Sequence, residues 1–194
     1  VGTTNKTRVA DYAAAITGKT ALLLRVHPSN FRIHGFTDRP TIDELVSLGK
    51  RFNITVAEDL GSGYLGNDTD SQNQQLDEPT IRKSVAVGTD VICFSADKLL
   101  GGPQAGILVG QSEKIECIRA HPLMRALRVD KLTYAALGAT LQEHAAGQAH
   151  VTVPVSIMLS TPVEEIEKRA RTVVDAIENR NARVEILNDH SAIG

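Results

Sequence analysis

Four short apolar runs punctuate the chain: TALLLRVH at 20–27, ITVAEDL at 54–60, DVICFS at 90–95 and AGILVG at 105–110. Each is of strand length, and helix-prone or polar stretches lie between them, so the pattern predicts an α/β fold built on a sheet of parallel strands. The first run is continuously apolar and is expected to be buried on both faces. RVADYAAAIT at 8–17 is Ala-rich and helix-prone. In TIDELVSLGKRF, Thr41 is followed three positions later by Glu44, the spacing of a capping box. EPTIRKSVAVG places Pro79 in the first turn of a helix expected to end at Gly88. The polar, Gly-rich stretch 61–77 is too long for a tight connection and reads as a functional loop. Further helices are predicted at 112–119 and 131–146, followed by VPVSIML, a long charged helix after Pro162, and a strand over ARVEIL.

Composition excludes several classes. No run approaches the roughly 20 apolar residues of a membrane span. The formal charge of -2, with both signs mixed along the chain, leaves no basic stripe of the kind that dominates RNA affinity. Cys93 and Cys117 form no CxxC pair, and no His cluster has metal spacing, so no disulfide framework or metal site is expected. This usage fits a reducing, cytoplasmic setting. The chain starts at VGTTNKT without an initiator Met and stops at NDHSAIG, which reads as a piece of a longer enzyme.

Ligands of open α/β sheets collect at the carboxyl ends of the strands. Asn30, Asp59 and the segment Ser95 to Lys98 follow three of the apolar runs. A lysine and a carboxylate on successive strand ends are what pyridoxal phosphate requires: the amine bonds the cofactor aldehyde, and the carboxylate keeps the ring nitrogen protonated. The same two residues also suit a strand-end Asp and a solvated surface Lys. GGPQAG after the lysine lacks the Lys-Ser/Thr ending of a nucleotide P-loop. His27, His34 and His121 have no partner at recognisable spacing and read as structural.

VGTTNKT, HPSNFRIHGFT, EDLGSG, FSADKLLGGPQAGILVG and HPLMRALRVDKLT together resemble the bacterial selenocysteine synthases, the L-seryl-tRNA(Sec) selenium transferases. These are fold-type-I pyridoxal phosphate enzymes. The resemblance implies a three-layer, aspartate aminotransferase-like large domain with a mostly parallel sheet, followed by the start of a smaller α+β subdomain. The division falls at 1–150 and 151–194. It further implies conversion of seryl-tRNA(Sec) to selenocysteinyl-tRNA(Sec) through an aminoacrylyl intermediate, with selenophosphate as donor, in a cytoplasmic homo-oligomer of dimers. Lys98 becomes the cofactor lysine and Asp59 the partner of the ring nitrogen. Asp97, Arg125 and Arg128 are implied to surround the selenium-donor anion, and Ser95 and Asn30 to contact the cofactor. A basic helix end at RALR, a plain strand-end Ser95 and a turn-forming Asn30 are the competing readings. The family's glycine-rich phosphate segment and its tRNA-binding region are expected to lie outside this sequence. A related pyridoxal phosphate lyase acting on a small amino acid or amino sugar, or a non-catalytic assembly module, would share much of this pattern.

Overall fold

The structure is a computed structural model that describes residues 1–29, 33, 35–66, 78–177 and 184–189. Helix α1 (Val9–Ala15) leads to β1 (Leu22–Val26), followed by α2 (Ile42–Phe52), β2 (Thr55–Gly61), α3 (Ile81–Val87), β3 (Val91–Ser95) and β4 (Gly106–Gly110). A helical run then follows: α4 (Ser112–Ala120), α5 (Leu123–Leu127), α6 (Lys131–Ala145), α7 (Ala149–Thr152), α8 (Pro154–Ser160) and α9 (Val163–Asp175). The strands form one sheet in the order β1-β2-β3-β4. The pairs β1–β2 and β2–β3 are parallel, and β3–β4 is antiparallel. Connection length explains the change of direction: α2 and α3 carry the chain back across the sheet, whereas residues 96–105 hold no helix and are too short for a crossover.

Local signals set the helix ends. The Thr41 hydroxyl accepts the Glu44 amide while the Glu44 carboxylate accepts the Thr41 amide, closing the expected capping box on α2. Asn53 ends α2 in the left-handed conformation. Helix α3 differs from expectation at its start. Thr80 is the N-cap and its side chain accepts the Lys83 amide, so Pro79 lies outside the helix; Gly88 ends it as expected. Asp130 caps α6, and the Thr133 amide bonded to its carboxylate holds that carboxyl below its ordinary range. Pro154 occupies the first turn of α8, where its missing N–H costs nothing.

Helices α1, α2 and α3 cover one face of the sheet. Leu23 and Val56 meet Ile42, Leu45, Val46 and Leu48 there, with Val9, Tyr12 and Val87 at the margin. A second cluster joins Leu60, Ile81, Ile92, Phe94, Ala96 and Leu100. Full burial of side chains such as Leu45 and Leu60 stabilises the fold by roughly 1.5–3 kcal/mol each. The expectation that β1 is buried on both faces is not met. Leu22, Leu24 and Val26 alternate with buried Leu23 and are exposed, because no described element covers that side.

The covered face also holds a charge. Glu58 is fully buried between Val56 and Leu60, ion-paired with Arg25 of β1 and accepting the Ser84 hydroxyl of α3. One carboxylate thereby ties three elements together just below the carboxyl ends of the strands. The strand expected over ARVEIL is absent from its described residues: 184–187 belong to no ladder, and Val184, Ile186 and Leu187 are exposed. A strand needs a neighbouring edge to satisfy its backbone, and none of the described strands pairs with this segment. No helix among the described residues is long and apolar enough to cross a membrane.

Candidate active site

Alternation along β2 sends Val56, Glu58 and Leu60 to the helices and leaves Asp59, half-buried, on the opposite face. Asp59 pairs in register with Val26 of β1 and Cys93 of β3. The register then slips between Asp59 and Gly61, so Leu60 is an extra residue relative to β3. Such a bulge re-aims side chains at the end of a strand. The Asp59 carboxylate accepts the Gly61 amide at 3.1 Å, and its backbone carbonyl accepts the His27 amide at 2.8 Å.

Lys98 sits three residues beyond the end of β3, in a turn fixed by several backbone bonds. The Leu99 amide donates to the Ser62 carbonyl at 2.9 Å, joining the lysine turn to the segment after β2. Gly101 N–H returns to the Lys98 carbonyl at 3.0 Å and Gly102 N–H to the Ala96 carbonyl at 2.8 Å. Gly101 has φ +75°, and a Cβ there would stand 2.4 Å from Val153 Cγ1 and 2.7 Å from Val155 Cγ1. Only glycine permits that approach of α8 to the turn. His144 Nε2 of α6 lies 2.8 Å from the Leu100 carbonyl and braces the turn from another side.

Asp59 and Lys98 meet over Gly61. With φ +68°, Gly61 turns the chain immediately after Asp59, and a Cβ on it would lie 3.8 Å from Lys98 Nζ and 3.1 Å from Ser29 Oγ. The ends of β1, β2 and β3 thus bring a hydroxyl, a carboxylate and an amine to one place. Ser62, whose carbonyl accepts the Leu99 amide, is fully buried, and its Oγ has no partner among the described residues. Beside Asp59 lies the Cys93 thiol, whose pKa is pushed up by burial first and then by the Asp59 charge and a hydrogen bond to it.

The remaining sequence-derived candidates fall at different distances from this point. Ser95 ends β3, half-buried, and Asp97 is exposed directly before Lys98. Arg125 lies in α5 and Arg128 is its C-cap with extended backbone, so an uninterrupted helical face does not join them. Both guanidiniums are exposed and carry no ion pair among the described residues. Asn30 and His34 lie outside the described residues, as does 67–77 of the predicted loop. His27 is engaged: its Nε2 stands 3.4 Å from a Glu78 carboxylate oxygen. That pair borders a cleft of about 600 Å³ on the side of β2 that carries Glu58, and neither Lys98 nor Asp59 lines it.

A family model described as L-seryl-tRNA selenium transferase matches residues 1–194. The chain belongs to the L-seryl-tRNA selenium transferase family. Relatives bearing the name L-seryl-tRNA(Sec) selenium transferase include one from Alkaliphilus metalliredigens, 46% identical over 198 residues covering 100% of this chain and 42% of that protein. Another, from Carboxydothermus hydrogenoformans, is 51% identical over 172 residues, 88% of this chain and 36% of that protein. The chain therefore spans less than half the length of these selenium transferases. Among solved structures, a D-glucosaminate-6-phosphate ammonia-lyase matches with TM-score 0.58 at 23% identity, covering 78% of this chain and 37% of that one. A Thermus thermophilus aspartate aminotransferase matches with TM-score 0.52 at 18% identity, covering 88% and 41%. These likenesses establish the aspartate aminotransferase-like α/β fold, in agreement with the expectation from sequence.

Sequence reasoning missed Ser29, Cys93 and the Arg25–Glu58 pair in this selenium transferase fold. Ser29 directly follows Pro28 at a strand end, the position at which α/β sheets present ligand contacts, and that signal could have found it. Cys93 has the same parity in β3 as Ser95, which puts it on the face that carries Asp59.

Proposed function

We propose that this chain is the lysine-bearing catalytic segment of a pyridoxal phosphate-dependent L-seryl-tRNA(Sec) selenium transferase. The observation that carries the reading is the convergence of Lys98 Nζ and the Asp59 turn over Gly61, at the carboxyl ends of adjacent parallel strands. The residues present fit the cofactor: an amine without a salt bridge among the described residues and a carboxylate fixed by a backbone amide meet at one glycine turn. Lys98 would hold the cofactor aldehyde carbon, Asp59 the ring nitrogen, Ser95 a phosphate oxygen and Asn30 the ring oxygen. When bound, pyridoxal phosphate supplies an electron-accepting ring for a negative charge at the seryl α-carbon.

Within this reading, the Lys98 amine takes the proton from the seryl α-carbon as general base. Asp59, held by Gly61 N–H, keeps a fixed negative charge opposite the ring nitrogen. Arg125 and Arg128 receive the selenophosphate anion, for which free guanidiniums supply forked donors, and Asp97, the catalytic carboxylate next to Lys98, borders the same site. The charged tRNA is gripped mainly by parts of the protein outside this chain, in keeping with its formal charge of -2. The reading divides the chain into 1–150, which holds the sheet and its two core clusters, and 151–194, the start of a smaller subdomain. It also places the enzyme in the cytoplasm as a homo-oligomer of dimers. Borohydride reduction of the cofactor-loaded full-length enzyme tests the central claim. The pyridoxyl mass is expected on the peptide containing Lys98, and its appearance on a different lysine, with Lys98 unmodified, would refute the reading.

A further inference from the structure

The Ser29 hydroxyl has no role in the reading above, yet the backbone brings it to Gly61, where the lysine amine also lies. Two bonds hold its segment: His27 N–H donates to the Asp59 carbonyl at 2.8 Å, extending the β1–β2 ladder, and Ser29 N–H donates to the His27 carbonyl at 3.0 Å. The chain turns sharply at Pro28 and brings the side chain across to β2. There the hydroxyl lies 3.1 Å, and Lys98 Nζ 3.8 Å, from the point where a Cβ on Gly61 would stand. Hydroxyl and amine thus share one side of the Gly61 α-carbon. Ser29 is half-buried, and neither its hydroxyl nor the Lys98 amine has a hydrogen-bond partner among the described residues. An ammonium offers three donors and no acceptor, and a hydroxyl offers two acceptor lone pairs. Side-chain rotation about Gly61 can bring them together, with the Asp59 carboxylate as the neighbouring acceptor.

We propose that Ser29 is a positioning residue for Lys98: its hydroxyl accepts a hydrogen bond from the Lys98 amine and holds Nζ over Gly61, beside Asp59. The proposal rests on the catalytic reading of Lys98. Its consequence is geometric, since a lysine has four side-chain torsions and an untethered amine spends little of its time over one point. Ser29 supplies the tether from β1, the strand on the far side of Asp59 from the lysine. Glycine at 61 is then required twice, for its φ of +68° and because a methyl group would stand 3.1 Å from the hydroxyl, tighter than ordinary contact.

The test compares Ser29→Ala and Ser29→Thr in the full-length enzyme, with two readouts. In the apoprotein, trace acetylation by acetic anhydride at neutral pH is quantified on the Lys98 peptide by mass spectrometry. Loss of the hydrogen bond releases the amine to the reagent, so Ser29→Ala is expected to label about threefold faster than the parent, and Ser29→Thr to restore the parent rate. In the loaded enzyme, Ser29→Ala is expected to lower kcat for seryl-tRNA about tenfold with little change in KM, because the tether serves orientation rather than substrate affinity. Parent-like labelling in Ser29→Ala would overturn the proposal, as would equal acceleration in both variants, which would trace the effect to volume rather than the hydroxyl. Labelling is measured without cofactor and judges Ser29 alone. Failure of the catalytic reading would appear separately, as undiminished turnover in Lys98→Ala.

Discussion

Replacing Arg25 by Met tests whether the buried carboxylate beneath the site depends on its ion pair. Glu58 has no solvent exposure, and the Arg25 side chain facing it retains 23%. Arg25→Met keeps much of the aliphatic volume and removes the guanidinium, leaving Glu58 with the Ser84 hydroxyl as its remaining hydrogen-bond donor among the described residues. Breaking one side of a buried pair costs about 3–5 kcal/mol, and the partial exposure of Arg25 puts the expectation near the lower end, about 3 kcal/mol. With a urea m-value of about 1–3 kcal/mol/M, the unfolding midpoint should fall by about 1–3 M. The assay is urea unfolding followed by far-UV circular dichroism. Arg25→Met/Glu58→Gln should be more stable than Arg25→Met alone, since the neutral amide no longer needs a counter-charge and still accepts from Ser84. A loss below about 1 kcal/mol in Arg25→Met, or additive effects in the double variant, would refute the view that this pair joins β1 to β2 energetically.

Gly101→Ala forces a methyl group to within 2.4 Å of Val153 Cγ1 at a φ of +75°. The left-handed backbone costs about 1–2 kcal/mol and the overpacking about 1–3 kcal/mol, so Tm should drop by about 5–15 °C in a calorimetric scan; a fall below about 2 °C would show that α8 is not packed on the lysine turn. Iodoacetamide at mildly alkaline pH should alkylate exposed Cys117 well before Cys93, whose raised pKa keeps it protonated through that range. Asp59→Asn removes a charge that raises the Cys93 pKa, so Cys93 alkylation should accelerate in that variant, and an unchanged rate would contradict the contact.

Features that depend on neighbours in sequence were legible in it. Thr41 and Glu44 stand three apart and close their box regardless of what packs on α2, and Gly88 stops α3 because a glycine tolerates φ of +88°. Lys98 and Asp59 stood out because each breaks an apolar run at the end where α/β sheets present ligands. Long-range facts were not legible. EDL at 58–60 shows two adjacent acids, and nothing local says that alternation buries Glu58 and spares Asp59, or that the counter-charge comes from Arg25, 33 positions earlier. The exposed edge formed by Leu22, Leu24 and Val26 reads as a buried strand because apolarity reports what a face seeks rather than what covers it. ARVEIL has strand-forming residues, yet strand formation is decided by a partner edge.

The brace around the lysine turn bears on the order in which the molecule is made. Ser62 supplies the acceptor for Leu99 from 37 positions upstream, but His144 and Val153 reach Leu100 and Gly101 from 44 and 52 positions downstream. At synthesis rates of about 5–20 residues per second, a chain that has just exposed Lys98 lacks two of the three supports for several seconds. During that interval the parallel core of β1, β2 and α2 is complete in sequence while the lysine is held from one side. Maturation of the amine's geometry is thereby coupled to the arrival of α6 and α8, and the finished lysine turn trails formation of the sheet that carries it.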